Sequence, residues 1–224
     1  MFKEKTEVEE GKISLGLVLE FHKITWPFVS LLFNYFSTCQ STCRMALMNG
    51  FFGGYGLLWV LKSNTFYDKP FYSSPMYHHS YGEAAVNYLS ISIYYLFPWK
   101  ASRNCNEISY IDTMFASFCF VVGGFLHYGA DSQKFYTLKY NPKNLITEGL
   151  FSIVQHPNYS GEFLMWIGLA TISDKYSIVS YLPVLWLFLA TVCMGIPNKA
   201  KSLKKYDEYN EWSKNTKLLI PGVY

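Results

Sequence analysis

The chain has 224 residues, of which half are hydrophobic and only 16% are charged, whereas an ordinary soluble domain carries roughly 25% charged residues. The net charge of +3 is small and spread along the chain, so it does not indicate nucleic-acid binding. The length fits one domain, which in a lipid bilayer would be one helical bundle. The aromatic content of 19% is typical of interfacial belts and of a cavity wall.

Six apolar segments predict an all-α, polytopic transmembrane helix bundle of about six spans. In chain order they are 24–39, 45–61, 84–99, 113–129, 160–172 and 176–196. Several are shorter than the roughly 20 residues that a spanning helix needs, so we expect the helices to extend into polar flanks. The segment 62–83 would be a seventh, weaker span, but its Pro, Ser, His and Tyr content favours an interfacial loop. We expect a single membrane-embedded domain, 1–224, with a basic C-terminal tail at the interface.

The distribution of Lys and Arg tests this topology. With six spans both termini lie on one side of the membrane, and that side carries 15 of the 19 cations. The four on the other side are Arg44, Lys100, Arg103 and Lys175. Because cytoplasmic loops carry an excess of Lys and Arg, both termini are predicted to be cytosolic. The N-terminal flank, 1–12, is charged and acidic, unlike a signal peptide.

Five cysteines stand at positions 39, 43, 105, 119 and 193. Their number is odd, the chain has no Cys-x-x-Cys pair, and most of the five fall in apolar runs. This pattern is typical of buried thiols. The sequence therefore predicts unreactive cysteines.

Polar residues gather at the mouth of the fifth apolar segment, in the stretch Gln-His-Pro-Asn-Tyr-Ser-Gly-Glu at 155–162. Pro157 pre-sets the first turn of a helix, which places Asn158 and Glu162 on one face, four residues apart. His156 precedes that turn, where free backbone amides favour anions. Since such residues are costly in a bilayer unless they face a cavity, a partner or a ligand, the stretch predicts a binding site.

A second polar group, Ala-Asp-Ser-Gln-Lys at 130–134, ends the fourth segment. The carboxylate of Asp131 could accept hydrogen bonds from ribose hydroxyls or an amide, and Lys134 could meet a phosphate. The alternative is a helix end whose polar side chains extend into the interface. Because the neighbouring motif offers one His and one Glu, with no second His at the spacing of metal ligands, we expect no metal ion.

The tail that follows Gly195 is basic. Lys201, Lys204 and Lys205 could close over the phosphates of a cofactor. Alternatively, the tail could lie as a helix on anionic lipid. The segment 219–221, Leu-Ile-Pro, is expected to hold the end of the tail against the bundle.

The order of these motifs resembles the C-terminal domain of the steroid 5-alpha-reductase superfamily, and above all its branch formerly described as a domain of unknown function. The resemblance rests on Ala-Asp-x-Gln-Lys, Gly-Leu-Phe, His-Pro-Asn-Tyr-x-Gly-Glu, Gly-Ile-Pro and a tail ending Leu-Ile-Pro-x-x-Tyr, and covers 115–224. It implies a transmembrane bundle in the endoplasmic reticulum membrane, with NADPH entering from the cytosol. It also implies an NADPH site lined by the equivalents of Asp131, Asn158 and Glu162. We extend that predicted site to the nearby polar motif residues Gln133, Lys134, His156, Tyr159, Gly161, Lys201 and Lys204.

The sequence also departs from the reductase pattern. The arginine commonly found before His-Pro is Gln155 here, and the tail stretch 197–202 has lysines where the reductases have Arg and His. The catalytic Glu and Tyr of the reductases lie in the N-terminal half, which has no clear match in this chain. Glu20 and Tyr95 are our candidates for these proton donors, with interfacial anchoring as the alternative. A steroid substrate is therefore not supported.

Membrane methyltransferases of the isoprenylcysteine and phospholipid types use a similar Arg-His-Pro-x-Tyr-x-Gly turn and bind S-adenosylmethionine. Glu162 directly after Gly161, together with the block around Asp131, favours the reductase. We therefore predict an oxidoreductase that uses NADPH to reduce a carbon–carbon double bond of a steroid-like or other enone, its partners being the bilayer and this lipid-soluble substrate. The alternatives are a methyltransferase and a non-enzymatic membrane protein with a degenerate site.

Overall fold

The computed structural model describes residues 10–39 and 42–222. The acidic flank 1–9 and Tyr224, which ends the predicted tail motif, lie outside the described residues. The chain divides into two compact units. Their bounds are Met1–Asp112 with Leu169–Leu182 for unit 1, and Thr113–Gly168 with Pro183–Tyr224 for unit 2.

Most of the chain is helical. In chain order the α-helices are α1 (Leu15–Ile24), α2 (Trp26–Tyr35), α3 (Cys43–Met48), α4 (Gly54–Thr65), α5 (Lys69–Ser73), α6 (Tyr81–Ile91), α7 (Leu96–Ala101), α8 (Tyr110–Tyr140), α9 (Pro157–Asp174), α10 (Ile178–Phe188), α11 (Ile196–Leu203) and α12 (Tyr209–Asn215). Short π-helical or 3-10 turns adjoin several of them, at Asn49–Gly53, Pro75–Tyr77, Ser92–Tyr95, Gly149–Ser152 and Leu189–Gly195.

Each predicted apolar segment coincides largely with helix, and the helices extend into polar flanks as expected. The first segment differs most, because the helical stretch begins at Leu15 and ends at Tyr35 instead of covering 24–39. Its early start follows from Ser14, whose hydroxyl accepts a hydrogen bond from the backbone N–H of Leu17 at 3.4 Å and so caps α1.

Three helical stretches of the described residues are long and apolar enough to cross a membrane. They are Leu15–Tyr35, Tyr110–Tyr140 and Ile178–Leu203. Membrane association is thus supported by length and composition, while the count of six spans remains a prediction.

A two-stranded antiparallel ribbon joins the start of the chain to the segment 62–83. Strand β1 (Lys12–Ser14) pairs with β2 (His78–Ser80), with Ile13 opposite His79. Ser80 then begins α6 through a capping box with Glu83, whose carboxylate accepts from the Ser80 backbone N–H at 2.8 Å. The sequence predicts helices and an interfacial loop here and does not indicate the ribbon.

The core of unit 1 is aromatic and encloses the ammonium of Lys23. The rings of Trp26 and Phe52 stack at a centroid distance of 3.9 Å. The ammonium of Lys23, which is buried, lies 3.6 Å from the Trp26 ring centroid and 4.8 Å from that of Tyr94. Cation–π attraction offsets part of the cost of removing this charge from water.

In unit 2, glycines allow the backbones of α8 and α9 to touch. A Cβ atom added at Gly123 would lie 2.5 Å from the carbonyl oxygen of Gly161, and one added at Gly161 would collide with the carbonyl of Gly123 and lie 2.5 Å from the backbone nitrogen of His127. Further along, Gly168 faces the carbonyl of Ala116 in the same way. Gly123 and Gly161 thus permit the close packing of these two helices.

The C-terminal tail is attached to the chain segment that leads into α9. Residues Val154 and Lys217 form a parallel β-bridge, and the indole N–H of Trp212 donates to the Phe151 carbonyl at 3.0 Å. Further hydrogen bonds run from Gln155 N to Lys217 O, from His156 N to Leu218 O and from Ser160 Oγ to Leu219 O. The prediction that the tail end is held against the bundle is confirmed within unit 2.

Large apolar side chains remain exposed on the long helices. They include Phe21, Phe28, Leu31, Phe118, Val121, Phe125 and Leu185. Monomeric soluble proteins rarely expose an apolar surface of this kind, whereas in a bilayer lipid chains would cover it. These helices therefore support contact with a bilayer.

We expect Gly123→Ala to lower the melting temperature of the detergent-solubilised protein, because the new methyl group forces α8 and α9 apart at a cost of about 1–3 kcal/mol. Gly124→Ala is the matched control, since an added Cβ there has nothing within 4 Å. Both variants gain the same helix propensity, so the difference between their melting temperatures measures the helix contact. Equal melting temperatures would contradict the close packing.

Candidate functional site

The carboxylate of Asp131 and the amide of Asn158 meet in unit 2. Asp131 lies on α8 and is 4% exposed, while Asn158 lies in the first turn of α9. The Asn158 Nδ2 atom donates to Asp131 Oδ1 at 3.2 Å. Pro157 supplies the fixed φ that begins α9 at this point. The structure thus brings together two of the three residues that the resemblance assigned to an NADPH site.

Two residues that sequence analysis missed complete this cluster. His127 Nδ1 lies 3.2 Å from the Asn158 carbonyl oxygen, and His127 Nε2 lies 4.0 Å from Asp131 Oδ2. Tyr128 interacts electrostatically with the carboxylates of both Asp131 and Glu162. The spacing of His127 and Tyr128, four and three residues before Asp131 on a helix, was the available signal. We call these five residues the carboxylate cluster: His127, Tyr128, Asp131, Asn158 and Glu162.

A second group of side chains lies around the ring of Tyr159. The Lys199 ammonium lies 4.1 Å from the centroid of this ring, and the His156 ring lies 5.6 Å from it. Lys199 was missed by sequence analysis, which selected Lys201 and Lys204. Both of these lysines are exposed, while Lys199 is half-buried on α11 beside the predicted motif. Lys199 is therefore a tail cation that the structure places beside the ring of Tyr159.

His156 is held neutral by its surroundings. Its side chain is buried, and its backbone N–H donates to the Leu218 carbonyl oxygen of the tail at 3.1 Å. Burial, and secondarily the positive charge of Lys199, lower the pKa of His156 from 6.5 to about 3. The imidazole is thus a neutral hydrogen-bonding group at physiological pH.

Two further motif residues, Gln133 and Gly161, contact backbone atoms of neighbouring segments. The Gln133 side chain donates to the Glu148 carbonyl at 2.8 Å and accepts from the Leu150 N–H at 3.1 Å, which holds the turn around Gly149. Gly149 has φ +61°, and a Cβ there would meet the Gln133 amide. Gly161 contacts the α8 backbone, as described above, and Lys134 is half-buried near the end of α8.

Gln155 stands where the reductases commonly have arginine, and its amide is engaged by the tail. Its Nε2 atom donates to the carbonyl oxygens of Thr216 at 2.6 Å and Ser213 at 3.1 Å. The side chain is 7% exposed. In this chain the position therefore fixes the tail.

The two proposed proton donors lie in unit 1, in separate hydrogen-bond clusters. Glu20 Oε1 accepts from the Ser63 hydroxyl at 2.9 Å and from the Asn64 amide at 3.2 Å. The Tyr95 hydroxyl lies 2.7 Å from Thr25 Oγ1 and 3.2 Å from the Tyr88 hydroxyl. Glu20 and Tyr95 are predicted as a pair of proton donors, and the structure gives each its own set of hydrogen-bond partners.

The hydroxyl chain through Tyr95 has a fixed direction. The Thr25 hydroxyl donates its only proton to the His22 carbonyl oxygen at 2.6 Å. Tyr95 must then donate to Thr25, and Tyr88 to Tyr95. Beside this chain, His22 Nδ1 accepts from the Trp26 indole at 3.2 Å, which leaves the proton on the other ring nitrogen, Nε2. The residues His22, Thr25 and Tyr88 were also missed by sequence analysis.

The chain matches the family described as "Protein of unknown function (DUF1295)" over residues 77–216. The match covers more than half of the sequence, and the chain therefore belongs to that family. The matched segment contains Tyr95 and the whole carboxylate cluster, while Glu20 precedes it. No matching relative was found among curated proteins.

We expect His156→Gln to make the protein less sensitive to acid. In the wild type the unfolded state binds a proton below pH 6.5, whereas the folded state does so only near pH 3. Stability from this group is therefore complete above pH 6.5 and falls by about 1.4 kcal/mol per pH unit below it. The drop in melting temperature between pH 7.5 and pH 5.0 should be smaller in the variant. The control is His79→Gln, and an unchanged drop in His156→Gln would refute the prediction.

Proposed function

We propose that this member of the DUF1295 family is a multi-pass membrane oxidoreductase that uses NADPH to reduce a carbon–carbon double bond of a lipid-soluble enone. The observation that carries the proposal is the hydrogen bond between Asn158 and Asp131 at the mouth of α9, with Glu162 one turn further along. These are the three positions to which the resemblance to steroid 5-alpha-reductases assigns the cofactor. The proposal includes six spans, cytosolic termini and the endoplasmic reticulum membrane.

The chemistry of the side chains fits a dinucleotide. The carboxylates of Asp131 and Glu162 accept hydrogen bonds from ribose hydroxyls or the nicotinamide amide, and Asn158 can both donate and accept. The cation of Lys199, next to Tyr159, would meet a phosphate and take over the task that Gln155 cannot perform. When bound, NADPH would supply the hydride.

Hydride transfer to an enone also requires a group that stabilises negative charge on the substrate oxygen. In unit 1, Glu20 and Tyr95 are our candidates for polarising this carbonyl. Each would act as a hydrogen-bond or proton donor in a site from which water is excluded.

One alternative is an S-adenosylmethionine-dependent methyltransferase, because carboxylates that hold the ribose of NADPH could equally hold the ribose of that cofactor. A non-enzymatic protein is the other alternative. It is favoured by Gln155, whose amide is committed to the tail carbonyls. The cofactor therefore has to be identified directly.

The test is thermal stabilisation of the purified full chain in detergent by saturating NADPH, NADH or S-adenosylmethionine. We expect a rise in melting temperature with NADPH, because a ligand that binds only the folded state stabilises it by mass action. A rise with S-adenosylmethionine alone would overturn the reductase in favour of the methyltransferase. No rise with any of the three, in a protein that melts cooperatively, would favour the non-enzymatic alternative.

Glu162→Gln and Asn158→Ala should each weaken NADPH binding by tenfold or more, because each removes a hydrogen bond to a polar group of the ligand, worth about 1.5 kcal/mol or more where a charge takes part. Glu148→Gln is the matched control, since its exposed carboxylate lies outside the carboxylate cluster. The measurement is the NADPH concentration dependence of the melting temperature. Equal affinity in all three variants and the wild type would refute the site.

Lys199→Ala should weaken NADPH binding more than Lys204→Ala does, because Lys199 lies over the ring of Tyr159, whereas Lys204 is exposed just after the end of α11. The loss should shrink as salt is raised, since screening weakens the interaction of the lysine with phosphate. Affinity measured at low and high ionic strength checks both points. A larger loss in Lys204→Ala would place the phosphate nearer the exposed end of α11.

A further inference from the structure

Two of the five cysteines are bonded to each other, which corrects the prediction of five unreactive thiols. Cys39 lies in the loop after α2, and Cys105 lies in the loop between α7 and α8, 66 residues later. Their Cα atoms are 5.0 Å apart. Cys43, Cys119 and Cys193 are free, and only Cys119 of these is buried. The spacing of the cysteines does not indicate this pair, because the two loops meet only in the folded unit 1.

A third loop of unit 1 joins these two through a buried arginine. The guanidinium of Arg44, at the start of α3, donates to the carbonyl oxygens of Asn106, Ile172 and Ser173. The Asn104 amide also donates to the Ser173 carbonyl, at 3.3 Å. Because Ile172 and Ser173 end α9, their carbonyls are among those left without partners in the helix. One cation thus connects the beginning of α3, the loop after α7 and the end of α9.

Two ion pairs lie at the same place. Lys100 lies 3.2 Å from Asp174, and Lys175 lies 2.9 Å from Asp112. The Ser109 hydroxyl adds a hydrogen bond to Asp112 at 2.8 Å. We call this assembly the odd-loop cluster: the loops after α2, between α7 and α8, and between α9 and α10, with their flanking residues.

The three loops are the first, third and fifth connections of the six-span topology. A chain that crosses a bilayer at every span must leave its odd-numbered connections on one face. The structure brings these three loops into contact within unit 1, which is the arrangement that the topology requires. The same three connections hold only four of the 19 Lys and Arg residues, the number expected of the face opposite the cytosol.

The disulfide adds an independent chemical argument for the same side. Cytosolic thiols are kept reduced, whereas disulfides form and persist in secretory compartments. We propose that the odd-loop cluster faces the oxidising lumen of a secretory membrane, and that Cys39 and Cys105 are oxidised there by a disulfide-bearing protein of that compartment. The proposal needs the membrane topology and does not depend on which cofactor binds.

The oxidation balances as two successive thiol–disulfide exchanges. One cysteine, as a thiolate, attacks the disulfide of the lumenal protein and forms a mixed disulfide with it. The thiolate of the other cysteine then displaces that protein. The products are the Cys39–Cys105 disulfide and the reduced dithiol of the lumenal protein, which has received two electrons and two protons.

The first test counts free thiols in the full chain expressed in eukaryotic cells. Free thiols are trapped with polyethylene glycol maleimide in denaturant, with and without prior reduction, and the adducts are counted on a gel. We expect three adducts before reduction and five after it. Cys39→Ser and Cys105→Ser should each give four adducts under both conditions. Cys43→Ser, the matched control, should give two and then four.

The second test determines the side of the membrane. Sealed microsomes with the cytosolic face outward are treated with a membrane-impermeant reductant, and the adducts are counted again. We expect three adducts until detergent opens the vesicles, and five thereafter. Five adducts before any reduction would show that the disulfide is absent, and five adducts in sealed vesicles would place the cluster in the cytosol. Either result overturns the proposal.

Discussion

The backbone contact between Gly123 and Gly161 is the constraint on which the carboxylate cluster depends. Neither glycine has a side chain, so α8 and α9 approach until neither position has room for a Cβ atom beside the carbonyl oxygen of the other. From this contact Asp131 lies about two turns along α8 and Asn158 about one turn back along α9. Their side chains are short, and a 3.2 Å hydrogen bond between them requires the helix axes to be close. A methyl group at either glycine would move the two halves of the cluster apart.

The same contact explains why the sequence motif contains Gly161. Glycine before an acid invites the interpretation that a ligand approaches the backbone there. In the structure the space above Gly161 is taken by Gly123 and the nitrogen of His127. Gly161 therefore acts on the site through helix packing, while Asn158 and Glu162 present the polar groups. One short motif thus encodes both the position of the helix and the chemistry at its mouth.

Local signals in the sequence predicted the helices and the polar motif well, because apolar runs, Pro157 and the i, i+4 spacing act within one helix. What the sequence could not predict depends on contacts between distant segments. The ribbon of β1 and β2 has three-residue strands, too short for a period-2 pattern. The Cys39–Cys105 pair and the carbonyl partners of Arg44 exist only because separate loops meet. Similarly, the sequence shows only that Gln155 lacks the positive charge of the arginine that the reductases commonly have at this position. The structure shows that its amide donates to two carbonyl oxygens of the tail and so fixes the tail.

The break between α1 and α2 determines the hydrogen bond of Tyr95, one of the two candidate proton donors. Pro27 has no N–H to continue the helix, and Thr25 turns its hydroxyl to the His22 carbonyl at the break. The Tyr95 proton is then committed to Thr25, so polarising a substrate carbonyl would first require breaking a bond worth about 0.5–1.5 kcal/mol. The carboxylate of Glu20 accepts from Ser63 and Asn64, and it can donate to a substrate only after it has taken up a proton. The hydroxyl of Tyr95 is thus explained as a support for the break, and the hydrogen bonds of neither residue favour it as the donor.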